Sequence, residues 1–167
     1  MNKAVFIDRD GVVNSDEGHY YVYKAQDFVF NPEIEKALLL LKEAGFLLVL
    51  VTNQGGVAKG IYTEEDVDKI HQFMQNRLEE KGVRFDAVYY CPHHDAVSSC
   101  SCRKPKPGMI LKAVDDLNID PKQSFLVGDS ERDVQAGDAA GLKACFKVQK
   151  NTSIYQEALR IIELSGA

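Results

Sequence analysis

Four short stretches carry side chains whose types and spacing suit chemistry. The first is Asp8-Arg9-Asp10-Gly11. Aspartates two apart on an extended backbone point both carboxylates to the same side. Carboxylates so close repel, and a divalent cation, a shared proton or a basic neighbour relieves them. Gly11 then lets the chain turn away without a side chain in the pocket. The second stretch, Thr52-Asn53-Gln54-Gly55-Gly56, offers a hydroxyl, two amides and free backbone N–H groups to an anion. The third, Gly128-Asp129-Ser130-Glu131-Arg132-Asp133, sets two aspartates one helical turn apart. Each has a plainer alternative: solvated aspartates at a strand end, a capped turn, and an acidic helix N-terminus.

The fourth stretch is CPHHDAVSSCSCRKPKPGM, from Cys91 to Met109. Cys91-x-His93 and Cys100-x-Cys102 make two ligand pairs with six residues between them. Three thiolates and one imidazole complete a tetrahedral zinc and leave no open position for water, so the expected zinc is structural. Vicinal redox chemistry is the rival use of such thiols. The loop leads directly into Arg103 and Lys104, so the brace would deliver Lys104 to an anion. His94 reads as a solvated neighbour, His19 as within reach of the pocket mouth, His71 as a helix residue and Cys145 as core.

These stretches need elements to position them. Strands are expected at Ala4–Ile7, Phe46–Val51, Ala87–Tyr90, Ser124–Val127 and Ala144–Val148, and amphipathic helices at Pro32–Ala44, Thr63–Lys81, Pro107–Leu117, Glu131–Ala140 and Ser153–Leu164. Gly45, Gly82 and Gly141 serve as helix stops, and Thr63 with Asp66 forms a capping box. Alternating strands and helices imply a doubly wound, Rossmann-like α/β sheet, where ligands bind beyond the carboxyl ends of the strands. Three of the four stretches directly follow strands one, two and four, and the cysteine loop follows strand three. Three acids, a hydroxyl and amide donors around one crevice suit a hard cation, Mg²⁺, together with a phosphate.

The chain has 167 residues, with no linker long enough to divide it, and one domain over 1–167 is expected. A formal charge of −5 gives no basic face for nucleic acid or anionic membrane. No signal-type or spanning apolar run occurs, and the clustered cysteines fit a reducing cytoplasm. A monomer is the default for a small domain without heptads.

Asp8-Arg9-Asp10-Gly11, Val51-Thr52-Asn53, Lys104-Pro105 and Gly128-Asp129 with Asp133 resemble the four motifs of the haloacid dehalogenase (HAD) superfamily phosphatases, in order and spacing over about residues 4–148. The DRDGVVN opening, the TNQ after strand two and the cysteine loop resemble that superfamily's histidinol-phosphatase-like branch. The resemblance implies Asp8 as nucleophile, Asp10 as proton donor and acceptor, and Thr52 and Lys104 as holders of the phosphoryl oxygens. It implies Mg²⁺ on Asp8, the carbonyl of Asp10 and Asp129, and zinc on Cys91, His93, Cys100 and Cys102. Asp133 is the expected partner of Lys104 or of a metal-bound water. Asp16, Glu17, Gly18, His19, Asn53, Gln54, Gly55 and Ser130 should line the substrate side, with Arg103 clamping a distal phosphate. No substantial cap domain fits between the motifs, so loops shape access.

The implied substrate is a small sugar phosphate, a heptose 1,7-bisphosphate that loses its 7-phosphate on the way to surface glycans. Histidinol phosphate is the alternative, with Asp16 and Glu17 accepting its amine. A non-catalytic zinc-braced interaction module is the rival from another class.

Overall fold

The computed structural model describes residues 1–166. In chain order the elements are β1 (Ala4–Ile7), β2 (Asn14–Ser15), β3 (Val29–Phe30), α1 (Ile34–Glu43), β4 (Leu47–Asn53), α2 (Glu64–Glu79), β5 (Ala87–Cys91), α3 (Gly108–Asp116), β6 (Phe125–Gly128), α4 (Glu131–Ala139), β7 (Ala144–Lys147) and α5 (Tyr155–Ser165). Five strands form one parallel sheet in the order β5-β4-β1-β6-β7. The chain fills one side of β1 and then crosses to the other. The carboxyl ends of β1, β4 and β6 therefore flank a switch point, where an open α/β sheet leaves a crevice.

Strand alternation divides the core into two layers. Val5, Ile7, Leu48, Leu50, Phe125 and Val127 pack against Leu38, Ile70, Met74 and Ile161 from α1, α2 and α5. Ala4, Phe6, Val49, Val51 and Leu126 face Met109, Ile110 and Ala136 from α3 and α4. Both faces are covered, which is why the strands are nearly continuous apolar runs. Among the described residues no helix is long and apolar enough to cross a membrane.

The Thr63–Asp66 capping box is present, with Thr63 Oγ1 accepting from Asp66 N and Asp66 accepting from Thr63 N. Differences from expectation are local. β4 runs on to Asn53 because β5 continues the ladder, pairing Thr52 with Tyr90 and Asn53 with Cys91. α1 starts at Ile34, since Glu33 takes a left-handed conformation (φ 61°). α5 starts at Tyr155, whose N–H is accepted by Ser153 Oγ. The antiparallel β2–β3 pair was not expected, because two-residue strands carry no periodic signal. Between β1 and β4 the chain holds only this pair, a short 3₁₀ turn and α1, so loops shape access to the crevice.

Candidate active site

Asp8 directly follows β1, Lys104 arrives on the loop after β5, and Asp133 stands in the first turn of α4. Lys104 Nζ donates to Asp8 Oδ1 at 2.9 Å, to Asp133 Oδ1 at 2.6 Å and to the Val51 carbonyl at 3.0 Å. All three ammonium hydrogens thus have acceptors, at a residue only 4% exposed. Burial alone would lower the Lys104 pKa, but Asp8 and Asp133 outweigh it and raise it, so the amine stays charged. Burial, and then the charge of Asp133, hold the Asp8 pKa well above the usual carboxylate range against the pull of Lys104. Burial also opposes charge on Asp133, but Lys104 prevails and its pKa falls. Asp133 Oδ2 accepts from the N–H groups of Asp129 and Ser130 and from Ser130 Oγ.

Asp8, Asp129 and Asp133 bring carboxylate oxygens within 4.8 Å of one another. Asp133 is already saturated by Lys104 and the α4 N-terminus, which leaves Asp8 and Asp129 as the oxygen donors for a hard cation. Gly11 is required beside them: its φ is +89°, and a Cβ there would collide with Asp129 Oδ2.

Asp10 is managed separately. Its carboxylate accepts from Arg9 Nε and Nη2, from Asn14 Nδ2 at 3.1 Å and from Gln54 Nε2 at 3.1 Å. The repulsion expected between the two aspartates is therefore relieved by two different cations, Lys104 for Asp8 and Arg9 for Asp10.

A cavity of about 530 Å³ opens over these groups. Of the expected site residues, it is lined by Asp8, Asp10, Asp16, His19, Thr52, Asn53, Gln54, Gly55, Arg103, Lys104, Asp129, Ser130 and Asp133. Glu17 and Gly18 do not line it; both are exposed on the loop outside. Two expected substrate amides turn out to be committed within the protein. Asn53 Oδ1 accepts from Lys104 N at 3.0 Å and its Nδ2 donates to the Lys104 carbonyl at 3.2 Å, a clasp that sets the lysine backbone. Gln54 Oε1 accepts from Tyr62 Oη at 2.6 Å, while its Nε2 donates to Asp10 and to Thr52 Oγ1.

The rim is cationic, with Arg103, Arg132 and Lys150. Arg103 Nη1 donates to the His93 carbonyl at 3.1 Å, whereas its buried Nε has no hydrogen-bond partner. Gly55 leaves the space that Arg103 and His94 occupy.

Beside the rim, Cys91, His93, Cys100 and Cys102 gather their ligand atoms within 4.8 Å. Cys91 Sγ lies 3.6 Å from Cys100 Sγ and 3.5 Å from His93 Nδ1, which is 3.3 Å from Cys102 Sγ. A tetrahedron with Zn–S bonds of about 2.3 Å has edges of about 3.8 Å, so the cluster has the size and donors for zinc. All four cysteines of the chain are free thiols.

Sequence reasoning missed Arg9, His71, Tyr62, Arg132 and Lys150. Arg9 carried a usable signal: it alternates with Asp8 and Asp10 in a chain whose sheet is covered on both faces, so its charge had to find buried partners. The others are brought in by separate helices and loops and carry none.

Comparison with known proteins agrees with this geometry. The family model described as "HAD-hyrolase-like" matches residues 101–153. A protein of Pasteurella multocida named D-glycero-beta-D-manno-heptose-1,7-bisphosphate 7-phosphatase is 44% identical over 162 residues, covering 94% of this chain and 87% of its own. The protein of that name from Escherichia coli K12 is 42% identical, covering 93% and 83%. The crystal structure of D,D-heptose 1,7-bisphosphate phosphatase from B. bronchiseptica, complexed with magnesium and phosphate, superposes with a TM-score of 0.82 at 35% identity, covering 95% of this chain and 86% of that one. The chain is a phosphoric monoester hydrolase of the HAD class and belongs to the D-glycero-β-D-manno-heptose-1,7-bisphosphate 7-phosphatase family.

Proposed function

We propose that this enzyme removes the 7-phosphate of D-glycero-β-D-manno-heptose 1,7-bisphosphate and leaves the anomeric phosphate in place. The observation that carries the substrate is the cavity's charge distribution. A buried Asp8–Lys104–Asp133 group lies at its floor, and Arg103, Arg132 and Lys150 stand at its rim. One phosphate belongs at the floor, and a second, distal anion suits the rim. The β anomer follows the relatives' names. Histidinol phosphate is disfavoured because its amine would need acids at the mouth. Glu17 is outside the cavity, which leaves Asp16 as the one acid of that pair in its wall, 3.6 Å from Lys150, among the cations Arg103 and Arg132.

The free oxygen of Asp8 attacks phosphorus, the bond to the C7 oxygen breaks, and an aspartyl-phosphate results. Asp10 gives the departing alkoxide a proton and then takes one from the water that cleaves the acyl phosphate. Lys104 holds Asp8 in place and, with Thr52, faces the phosphoryl oxygens as charge shifts. Asp133 fixes Lys104, and Asn53 fixes its backbone. Magnesium, held by Asp8, Asp129 and the Asp10 carbonyl, would supply positive charge against the carboxylates and the phosphate. Zinc on Cys91, His93, Cys100 and Cys102 would be a brace, since four protein ligands leave it no open position.

The test is magnesium-dependent phosphate release from both heptose bisphosphate anomers and from histidinol phosphate. We expect kcat/KM for the β anomer to exceed that for histidinol phosphate by about 100-fold or more. A preference for histidinol phosphate would sink the substrate assignment, and a preference for the α anomer would correct it.

A further inference from the structure

Arg9 is the largest side chain in the protein with no exposure at all, and the reaction as described gives it no part. A guanidinium keeps its charge and has only donors, so in a dry site its N–H groups must all find acceptors. Nε and Nη2 both reach the Asp10 carboxylate, at 3.2 and 2.9 Å to Oδ1. Nη2 also donates to the Val22 carbonyl, and Nη1 lies 3.2 Å from His71 Nε2. Because arginine cannot accept, His71 Nε2 must, which places the imidazole proton on Nδ1. Burial, and then the neighbouring Arg9 charge, keep His71 neutral by lowering its pKa to about 3.

The arrangement is more than charge neutralisation. Donors that reach both oxygens of a carboxylate, as Arg9 Nη2 does, restrict the rotation of the carboxylate as well as offsetting its charge. Asn14 and Gln54 add donors to Oδ1 and Oδ2 respectively. The guanidinium fork in turn is held from behind by His71, which comes from α2, and by the Phe28 ring, 5.9 Å from the guanidinium carbon. Proton donation is sensitive to such aim, since small misplacements of a catalytic group are costly.

We propose that Arg9, clamped by His71, is a positioning residue that aims the Asp10 carboxylate at the leaving oxygen. This rests on the reading of Asp10 as proton donor. It separates substrates by leaving group: an alkoxide needs the proton, whereas p-nitrophenolate departs without one.

The experiment compares kcat/KM, which reports steps up to departure of the leaving group, for heptose 1,7-bisphosphate and p-nitrophenyl phosphate. His71→Leu should lower the first by about tenfold while the second changes less than about twofold. His71→Gln, whose amide oxygen can accept from Nη1, should recover most of the loss. Arg9→Lys, which keeps the charge and loses the fork, should show the same selective defect. An equal fall on both substrates, or no fall on either, overturns the clamp. Asp10→Asn separates the two levels. If its own loss is independent of leaving group, the proton-donor reading fails and the clamp falls with it. If Asp10→Asn is selective and His71→Leu is not, the clamp alone is wrong.

Discussion

Two clusters of four side chains lie side by side in this protein and are held together by different means. The acidic cluster draws Asp8, Asp129 and Asp133 from two strand ends and a helix start, and its own cation, Lys104, sits among them. The thiol cluster comes from one stretch of twelve residues, and its members touch chiefly one another. In the acidic cluster, the ammonium and the α4 N–H groups organise the carboxylates before any metal arrives. In the thiol cluster, burial raises the Cys91 pKa, and hydrogen bonds to the neighbouring thiols Cys102 and Cys100 raise it further, and no cationic side chain sits among the four ligands to hold them as thiolates. A metal at the first site is added to a built structure, whereas a metal at the second completes one.

The comparison breaks most sharply on chemistry. Asp8→Asn should lower kcat by about 10³-fold or more, because the proposed nucleophile is gone, while thermal melting still shows a folded sheet. Cys100→Ser, which leaves the floor of the cavity untouched, should cost only about tenfold. Retained magnesium-dependent activity in the Asp8 variant would falsify the covalent route through Asp8. The next largest effect is on stability. Lys104→Met leaves two buried carboxylates facing each other and should cost about 3–5 kcal/mol in urea unfolding. Magnesium should restore part of this by replacing the lost positive charge, and no recovery at saturating magnesium would mean the ion does not sit on these carboxylates.

Metal removal sharpens the contrast further. Chelation of the zinc proposed for the thiol cluster should speed amide hydrogen exchange across 92–106 and leave the amides of β1 and β6 protected. Equal loosening of the sheet would make the zinc a determinant of the whole fold. A pH dependence of stability gives a further check. His71 titrates at about 3 in the folded protein and near its ordinary 6.5 when unfolded. The unfolded chain therefore binds the proton first as pH falls. Stability contributed by neutral His71 is complete above pH 6.5 and declines toward pH 3, at up to about 1.4 kcal/mol per pH unit. Denaturation of His71→Leu should lack that slope, and an unchanged slope would assign it to other groups.

The chain order of apolar strands and amphipathic helices determined the parallel sheet, and the ends of those strands determined where Asp8, Thr52 and Asp129 would meet. The thiol cluster was equally legible, since its ligands are neighbours in the chain and their types admit few uses. Most of the expected substrate-side residues do line the cavity, but their hydrogen-bond partners were not legible. Asn53 and Gln54 are donors and acceptors of the right kind, but the folded protein directs them to Lys104, Asp10 and Tyr62. Glu17 sits in the expected loop, exposed, and does not line the cavity. Arg9 and His71 are 62 positions apart, and no local pattern joins them. The physical reason is general. Periodicity and turn chemistry are set by near neighbours, so they are written along the chain. Which polar group meets which across the crevice depends on how α2 and the connecting loops pack against the sheet, and only the tertiary structure decides that.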